Sequence, residues 1–258
     1  MTMASKTKTV ICTSTLATST GTSSFAGGIT LGADSTVNVG GTQLTLSGVI
    51  DESGGARALT KAGTGKLVLT NANTYTGATT ISAGVLNIQN ATATGTTAGG
   101  VTVSAGAALE IQGVISVGAE ALTLNSDGIS AAGALRNISG NNSYAGAITL
   151  GSASRVNSDS GTLTLSGGVT NAGFLLTVGG AGNTSFTTAA ISGTGGLTKD
   201  GSGTLTLGFA NTYTGSTSIT AGTVAVTAND ALGTTAAGTT VSGGTLDLQN
   251  VTYSTTEA

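Results

Sequence analysis

The chain has no proline, no histidine and no tryptophan, and a single cysteine in 258 residues. Average usage would give about a dozen prolines, at roughly 5%. Proline cannot donate a ladder hydrogen bond and is kept out of central strands. Its absence suits a fold in which nearly every strand has neighbours on both sides. Without histidine, a Ser-His-Asp triad, a Cys-His dyad and a histidine-ligated metal site are all excluded. The lone Cys12 allows no intrachain disulfide and reads as incidental. Charged residues make up only 7% and aromatics 3%. Low charge argues against disorder, because disordered chains are poor in apolar residues and rich in charge. Eight Lys and Arg against eleven Asp and Glu give a net charge of −3 with no basic face, so nucleic acid is not an expected partner. No run approaches the ~18 apolar residues of a membrane helix, and no membrane insertion by this segment is expected. Lys6-Thr-Lys8 before Val10-Ile-Cys12 has the outline of a signal peptide, but Thr and Ser break the apolar stretch at once. Residues 1–10 are expected to be a vector-derived or disordered start, with the fold occupying 11–258.

What is abundant is glycine, with 43 residues, and internal repetition. Leu59-Thr-Lys-Ala-Gly-Thr-Gly-Lys-Leu-Val-Leu is followed by Asn73-Thr-Tyr75-Thr-Gly77 and by Ile81-Ser-Ala-Gly84. Leu197-Thr-Lys-Asp-Gly-Ser-Gly-Thr-Leu-Thr-Leu is followed in the same way by Asn211-Thr-Tyr213-Thr-Gly215 and Ile219-Thr-Ala-Gly222, an offset of 213 − 75 = 138. Upstream, Phe25-Ala-Gly-Gly-Ile-Thr-Leu31 matches Tyr144-Ala-Gly-Ala-Ile-Thr-Leu150 at 144 − 25 = 119, so the second copy has gained 19 residues. Downstream, Leu109-Glu-Ile-Gln112 meets Leu246-Asp-Leu-Gln249, and Glu120-Ala121 meets Glu257-Ala258. The chain reads as two homologous units, about 11–120 and 121–258, the second with one extra structural unit. Long-period self-similarity marks a repeat architecture.

Nineteen residues is too short for a βαβ unit, which needs about 30 or more, and suits one turn of a solenoid of short strands. Leu44-Thr-Leu46, Leu67-Val-Leu69, Leu122-Thr-Leu124 and Leu205-Thr-Leu207 alternate with period two, as half-buried strands do. Gly and Asn at short intervals supply the corners. The expected fold is all-β, a parallel β-helix of about thirteen coils of 19–20 residues, in which each strand pairs with its counterpart one coil away. Tyr75, Tyr144, Tyr213 and Phe25 recur at matched corners. They are read as corner plugs over a backbone turned by Gly77 or Gly215, since rings so far apart form no contiguous sugar-binding platform. Asn73 and Asn211 are expected to bond their own turn or to stack as corner amides.

The two long matches, Leu59–Ile88 and Leu197–Val226, resemble the autotransporter-associated β-strand repeat, the passenger-associated transport repeat of type V secreted bacterial proteins. The resemblance implies a right-handed parallel β-helical passenger, on or shed from the surface of a Gram-negative bacterium and acting as stalk, scaffold or adhesin. It brings no catalytic residues, metal or cofactor, and it makes Asn73, Tyr75, Gly77, Gly84, Asn211, Tyr213, Gly215 and Gly222 structural motif positions. No translocator barrel, with its ~10-residue alternating segments, is recognised in the sequence.

The rival is a polysaccharide-acting β-helix enzyme or a carbohydrate-binding module. Such an enzyme needs clustered acids, whereas the eleven acids are spread thin and Asp51-Glu52, the one adjacent pair, points to opposite faces. Gly179-Gly-Ala-Gly-Asn183 occurs once and is no calcium repeat; Gly63-Thr-Gly65 and Gly201-Ser-Gly203 precede no helix and are no nucleotide loops. A third reading, an ice-binding Thr array, draws on pairs such as Thr162-Leu-Thr164 and Thr204-Leu-Thr206, which the sequence spaces irregularly. The expected chain is therefore a non-enzymatic stalk with adhesive contacts along the rod to a host cell or another copy. Its open strand edges favour end-to-end stacking of isolated fragments.

Overall fold

The computed structural model describes residues 8–252, so residues 1–7 and the Glu257-Ala258 match lie outside the described residues. The chain winds as a parallel β-helix with three faces. Val10–Cys12, Thr15–Thr18 and Thr22–Phe25 form the first turn, one strand on each face. Val10 is therefore already in the solenoid, inside the stretch expected to precede it.

The third face is a single sheet of 11 strands, from Thr22–Phe25 to Thr239–Val241. The second face is a sheet of 9 strands, from Thr15–Thr18 to Ile191–Ser192. On the first face, 3 strands ending at Ile50–Glu52 are separated from 7 strands beginning at Ser116–Val117. Two strandless passages fill that gap, stitched by Thr74 N–H to Ile50 O at 2.9 Å and Thr96 N–H to Tyr75 O at 2.9 Å. Beyond Ile191 the second face continues in the same way, through Thr212 N–H to Ile191 O at 2.9 Å and Thr234 N–H to Tyr213 O at 3.0 Å.

Alternation fixes what lies inside. Strands such as Ile29–Leu31, Val101–Val103 and Leu122–Leu124 bury their first and third residues and leave the middle one outward. Like then stacks on like: Leu44, Leu67, Leu86, Leu109 and Leu135 are successive register partners up the third face. Each such burial contributes about 1.5–3 kcal/mol, so the rod needs no large central core.

The solenoid has about 11 turns rather than thirteen. Register partners lie mostly 21 or 22 residues apart, as Leu163 to Thr184 and Val169 to Ile191 do, not 19–20. The 19-residue difference misstates the turn length because matching stretches do not sit on matching faces. Leu59 is on the second face and Leu197 on the third, while Leu67 is on the third and Leu205 on the first. Each offset is thus a whole number of turns plus one face. The 19 added residues likewise conceal a full turn: 22 residues separate Val169 from Ile191, but Ile191 to Leu197 takes 6 where Ile50 to Leu59 takes 9.

Candidate functional site

The motif residues turn inward and tie one turn to the next. Tyr75 and Tyr213 are fully buried, 0% exposed. Each hydroxyl meets the threonine four residues on, Tyr75 with Thr79 at 2.7 Å and Tyr213 with Thr217 at 2.6 Å. Thr79 Oγ1 then donates to Thr94 O at 3.1 Å in the next turn. Asn73 does not bond its own turn. Its Oδ1 accepts Ile50 N–H at 2.8 Å from the turn before, and its Nδ2 donates to Ala93 O at 2.5 Å in the turn after. Asn211 repeats this with Ile191 N–H at 2.7 Å and Ala231 O at 2.5 Å.

Gly77 and Gly215 are not positive-φ corners. A side chain on Gly77 would collide with the Arg57 carbonyl, and one on Gly215 with the Gly195 backbone. Close approach of the turn below therefore demands glycine there. Gly84 and Gly222, at φ 66° and 67°, are the left-handed corners.

The motif also holds a buried cation that the sequence reading passed over. Lys61 is 0% exposed and donates to the carbonyls of Ala62, Gly63 and Ala83, each at 2.9 Å. Lys199 is buried likewise against Asp200 O at 2.6 Å and Gly201 O at 2.8 Å. Burial pushes the Lys61 ammonium down to about 8 and lowers that of Lys199 too. The signal was present: each lysine stands two residues after an inward leucine, so period two sends it inside.

Charges dispersed in sequence converge on the outer surface of the third face. Glu110, itself buried, accepts from Lys66 Nζ at 2.7 Å, Asn87 Nδ2 at 3.1 Å and Arg136 Nη1 at 3.4 Å. Arg136 Nη2 also pairs with Asp159 at 2.6 Å. Higher up, Arg155 and Asp200 form a two-pronged pair at 2.6 and 2.7 Å. Three of the eleven acids, Glu110, Asp159 and Asp200, thus meet cations in one row, because residues one or two turns apart become neighbours. Asp51 and Glu52 lie outside that row; Glu52 accepts Arg57 N–H at 2.7 Å and the Thr76 hydroxyl at 2.5 Å.

Beside Glu110 and Arg136 the loop 125–134 folds over the face, with Ser130 and Ala131 at φ 52° and 56°. It encloses a groove of about 240 Å³ floored by Val85 and Ala108 and walled by Ile129, Ala132 and Gly133. Glu110 is the one carboxylate lining it, and that carboxylate is held by two cations. Among the described residues, no three His, Cys, Asp or Glu side chains are placed to hold a metal ion.

Inside the rod, where the first face loses its strands, Glu120 is buried at 2% exposure and accepts the Thr94 hydroxyl at 2.5 Å. Its other oxygen and the Tyr144 hydroxyl have no hydrogen-bond partner. Burial raises the Glu120 carboxyl to about 7, against the opposing Thr94 bond, and raises the Tyr144 phenol.

The passenger-associated-transport-repeat matches the chain twice, at residues 59–88 and 197–226. Each match begins at the strand carrying the buried lysine and runs through the asparagine and tyrosine to the strand after Gly84 or Gly222. Comparisons with the curated proteins and with the solved structures give no match.

Proposed function

We propose that this chain, which carries two passenger-associated-transport-repeats, is a non-enzymatic stalk within a passenger displayed on, or shed from, the surface of a Gram-negative bacterium. The observation carrying this reading is that both repeats are spent on joining turns. Asn73, Tyr75 and Lys61, with their counterparts Asn211, Tyr213 and Lys199, give their polar atoms to backbone or hydroxyl groups within the solenoid. Side chains so engaged hold a rod together and offer nothing to a ligand. Eleven turns at ~4.8 Å make a rod on the order of 50 Å long.

The two homologous units are proposed to be successive copies of one building block, the second lengthened by a turn. An adhesive role is favoured by the groove at Arg136, which offers a part-exposed guanidinium beside an apolar floor to a host-surface ligand.

The stalk reading is tested by placing the chain between a reporter and an outer-membrane barrel in a Gram-negative host. Removing the turn from Val169 to Ala190 should leave display intact and lower the reporter's height above the membrane. Release of new reducing ends from polysaccharides by the purified chain, abolished by Glu110→Gln, would instead establish the enzyme reading.

A further inference from the structure

On the second face, the outward middle position of successive strands is threonine without a break. Thr36, Thr60, Thr80, Thr102, Thr123 and Thr149 are consecutive register partners, with Thr15 below and Thr170 and Ser192 above. The sequence looked irregular because these residues lie 20 to 26 apart and only the winding aligns them. Alongside runs a second rank of Ala58, Ala78, Gly100, Ala121, Ala147 and Gly168, linked turn to turn by backbone bonds of 2.8–3.1 Å. No charged side chain projects from these two ranks between Ala58 and Ser192; Lys61 points inward and is fully buried.

The propensity of threonine for exposed strands does not account for this row. The third face has the same strand geometry, yet its outward positions read Thr45, Val68, Asn87, Glu110, Arg136 and Asn157 lower down. They reach Thr177, Thr198, Ser218 and Thr240 only above Arg155, so that face keeps no unbroken threonine row. The third face also uses its polar groups on one another, whereas none of the threonine hydroxyls of the second-face row bonds to another described residue. The second face therefore presents a straight line of free hydroxyls, each with a methyl group beside it.

We infer that this face binds ice. In a tetrahedral water lattice with O···O contacts of about 2.75 Å, oxygens two bonds apart are separated by about 4.5 Å. The threonine rungs repeat at ~4.8 Å. The mismatch is about 0.3 Å per rung, so three or four neighbouring hydroxyls fit the lattice together before the rows drift apart. A protein partner is disfavoured by area: eight rungs at ~4.8 Å, about 10 Å wide, bury roughly 400 Å² per side, half of the ~800 Å² that a standard interface takes from each partner.

The test measures thermal hysteresis and incorporation into a slowly growing ice front for the purified chain. The chain should enter the ice and shape its crystals. Thr102→Val with Thr123→Val, which keeps the branched shape and removes two hydroxyls, should reduce hysteresis severalfold. Thr102→Tyr with Thr123→Tyr should abolish it, and Thr177→Tyr on the third face should leave it unchanged. Unchanged unfolding midpoints would exclude a folding defect in each variant. Exclusion of the chain from ice, full activity in the Tyr pair, or binding to crystalline polysaccharide but not ice would overturn the inference. So would a dimer by light scattering that the Thr102→Tyr, Thr123→Tyr pair dissociates.

Discussion

The guanidinium of Arg155 crosses a whole turn of the solenoid to reach Asp200, with Nη1 at 2.7 Å from Oδ2 and Nη2 at 2.6 Å from Oδ1. It can do so because the strand between them carries Gly179 at the crossing point, where any Cβ would strike both partners. A two-pronged pair of this kind ties three turns together and is stronger than a single-contact surface bridge. Gly179→Leu should force the two apart and lower stability by about 1–3 kcal/mol in denaturant unfolding. Arg155→Lys, which keeps the charge but loses the fork, should cost less. A loss on Gly179→Leu that is just as large in an Arg155→Ala background would show that backbone packing at Gly179, and not the pair, decides the effect.

The buried tyrosines are not equivalent, and removing their hydroxyls should separate them. Tyr75→Phe takes away a bond to Thr79 and should destabilise by about 1 kcal/mol. Tyr144 has the same burial but no partner for its hydroxyl. Tyr144→Phe should be neutral or stabilising, because a desolvated, unsatisfied group disappears. Chemical denaturation of the two single variants decides it; a larger loss for Tyr144→Phe would mean that its hydroxyl has a bound partner.

Much of this fold was legible in residue order, and the reasons are physical. Leu44-Thr-Leu46 announces a strand and its inward face, because the strand period is two whatever the neighbours do. The repeat at Tyr75 and Tyr213 announces a solenoid, because stacked turns reuse one solution. Register between turns was not legible, because strands as short as three residues and corners that vary by several residues leave the turn length free. That one unknown turned a 22-residue turn into an apparent 19 and spread Glu110, Arg136 and Asp200 along the chain when they share a face. It hid the threonine row for the same reason. Glu120 was invisible in another sense: its burial arises where the first face loses its strands, a place set by tertiary winding.

Asn73 and Asn211 each bridge three turns, so their loss should propagate along the rod. Asn73→Ala leaves Ile50 N–H and Ala93 O without their side-chain partner inside the rod. Each orphaned buried group costs about 1–3 kcal/mol, so the variant should lose about 2–6 kcal/mol. Hydrogen exchange should show the Ile50 amide exposed first. Asn211→Ala should do the same at Ile191, leaving exchange around Ile50 unchanged. Loss of protection at both sites in either variant would show that the rod melts as one unit.

Stability should pass through a minimum near pH 7–8, because two buried groups act in opposite directions. The Glu120 carboxyl titrates at about 7 in the fold against 4.5 ordinarily, so the native state holds its proton more tightly than the unfolded chain. Its favourable contribution is complete below about 4.5 and is lost as pH rises to about 7, a change of up to about 3 kcal/mol. Lys61 titrates at about 8 against 10.5 ordinarily, so its ammonium burdens the fold at neutral pH and the burden lifts as pH rises from 8 towards 10. Above 10 the gain ends, because Tyr75 and Tyr144, their phenols raised by burial, resist ionisation that the unfolded chain permits. Unfolding midpoints measured from pH 5 to pH 10 should trace this profile. Glu120→Gln should flatten its acid limb, raising stability at pH 8 while leaving it little changed at pH 5. A profile that keeps its acid limb in that variant would assign the limb to another group.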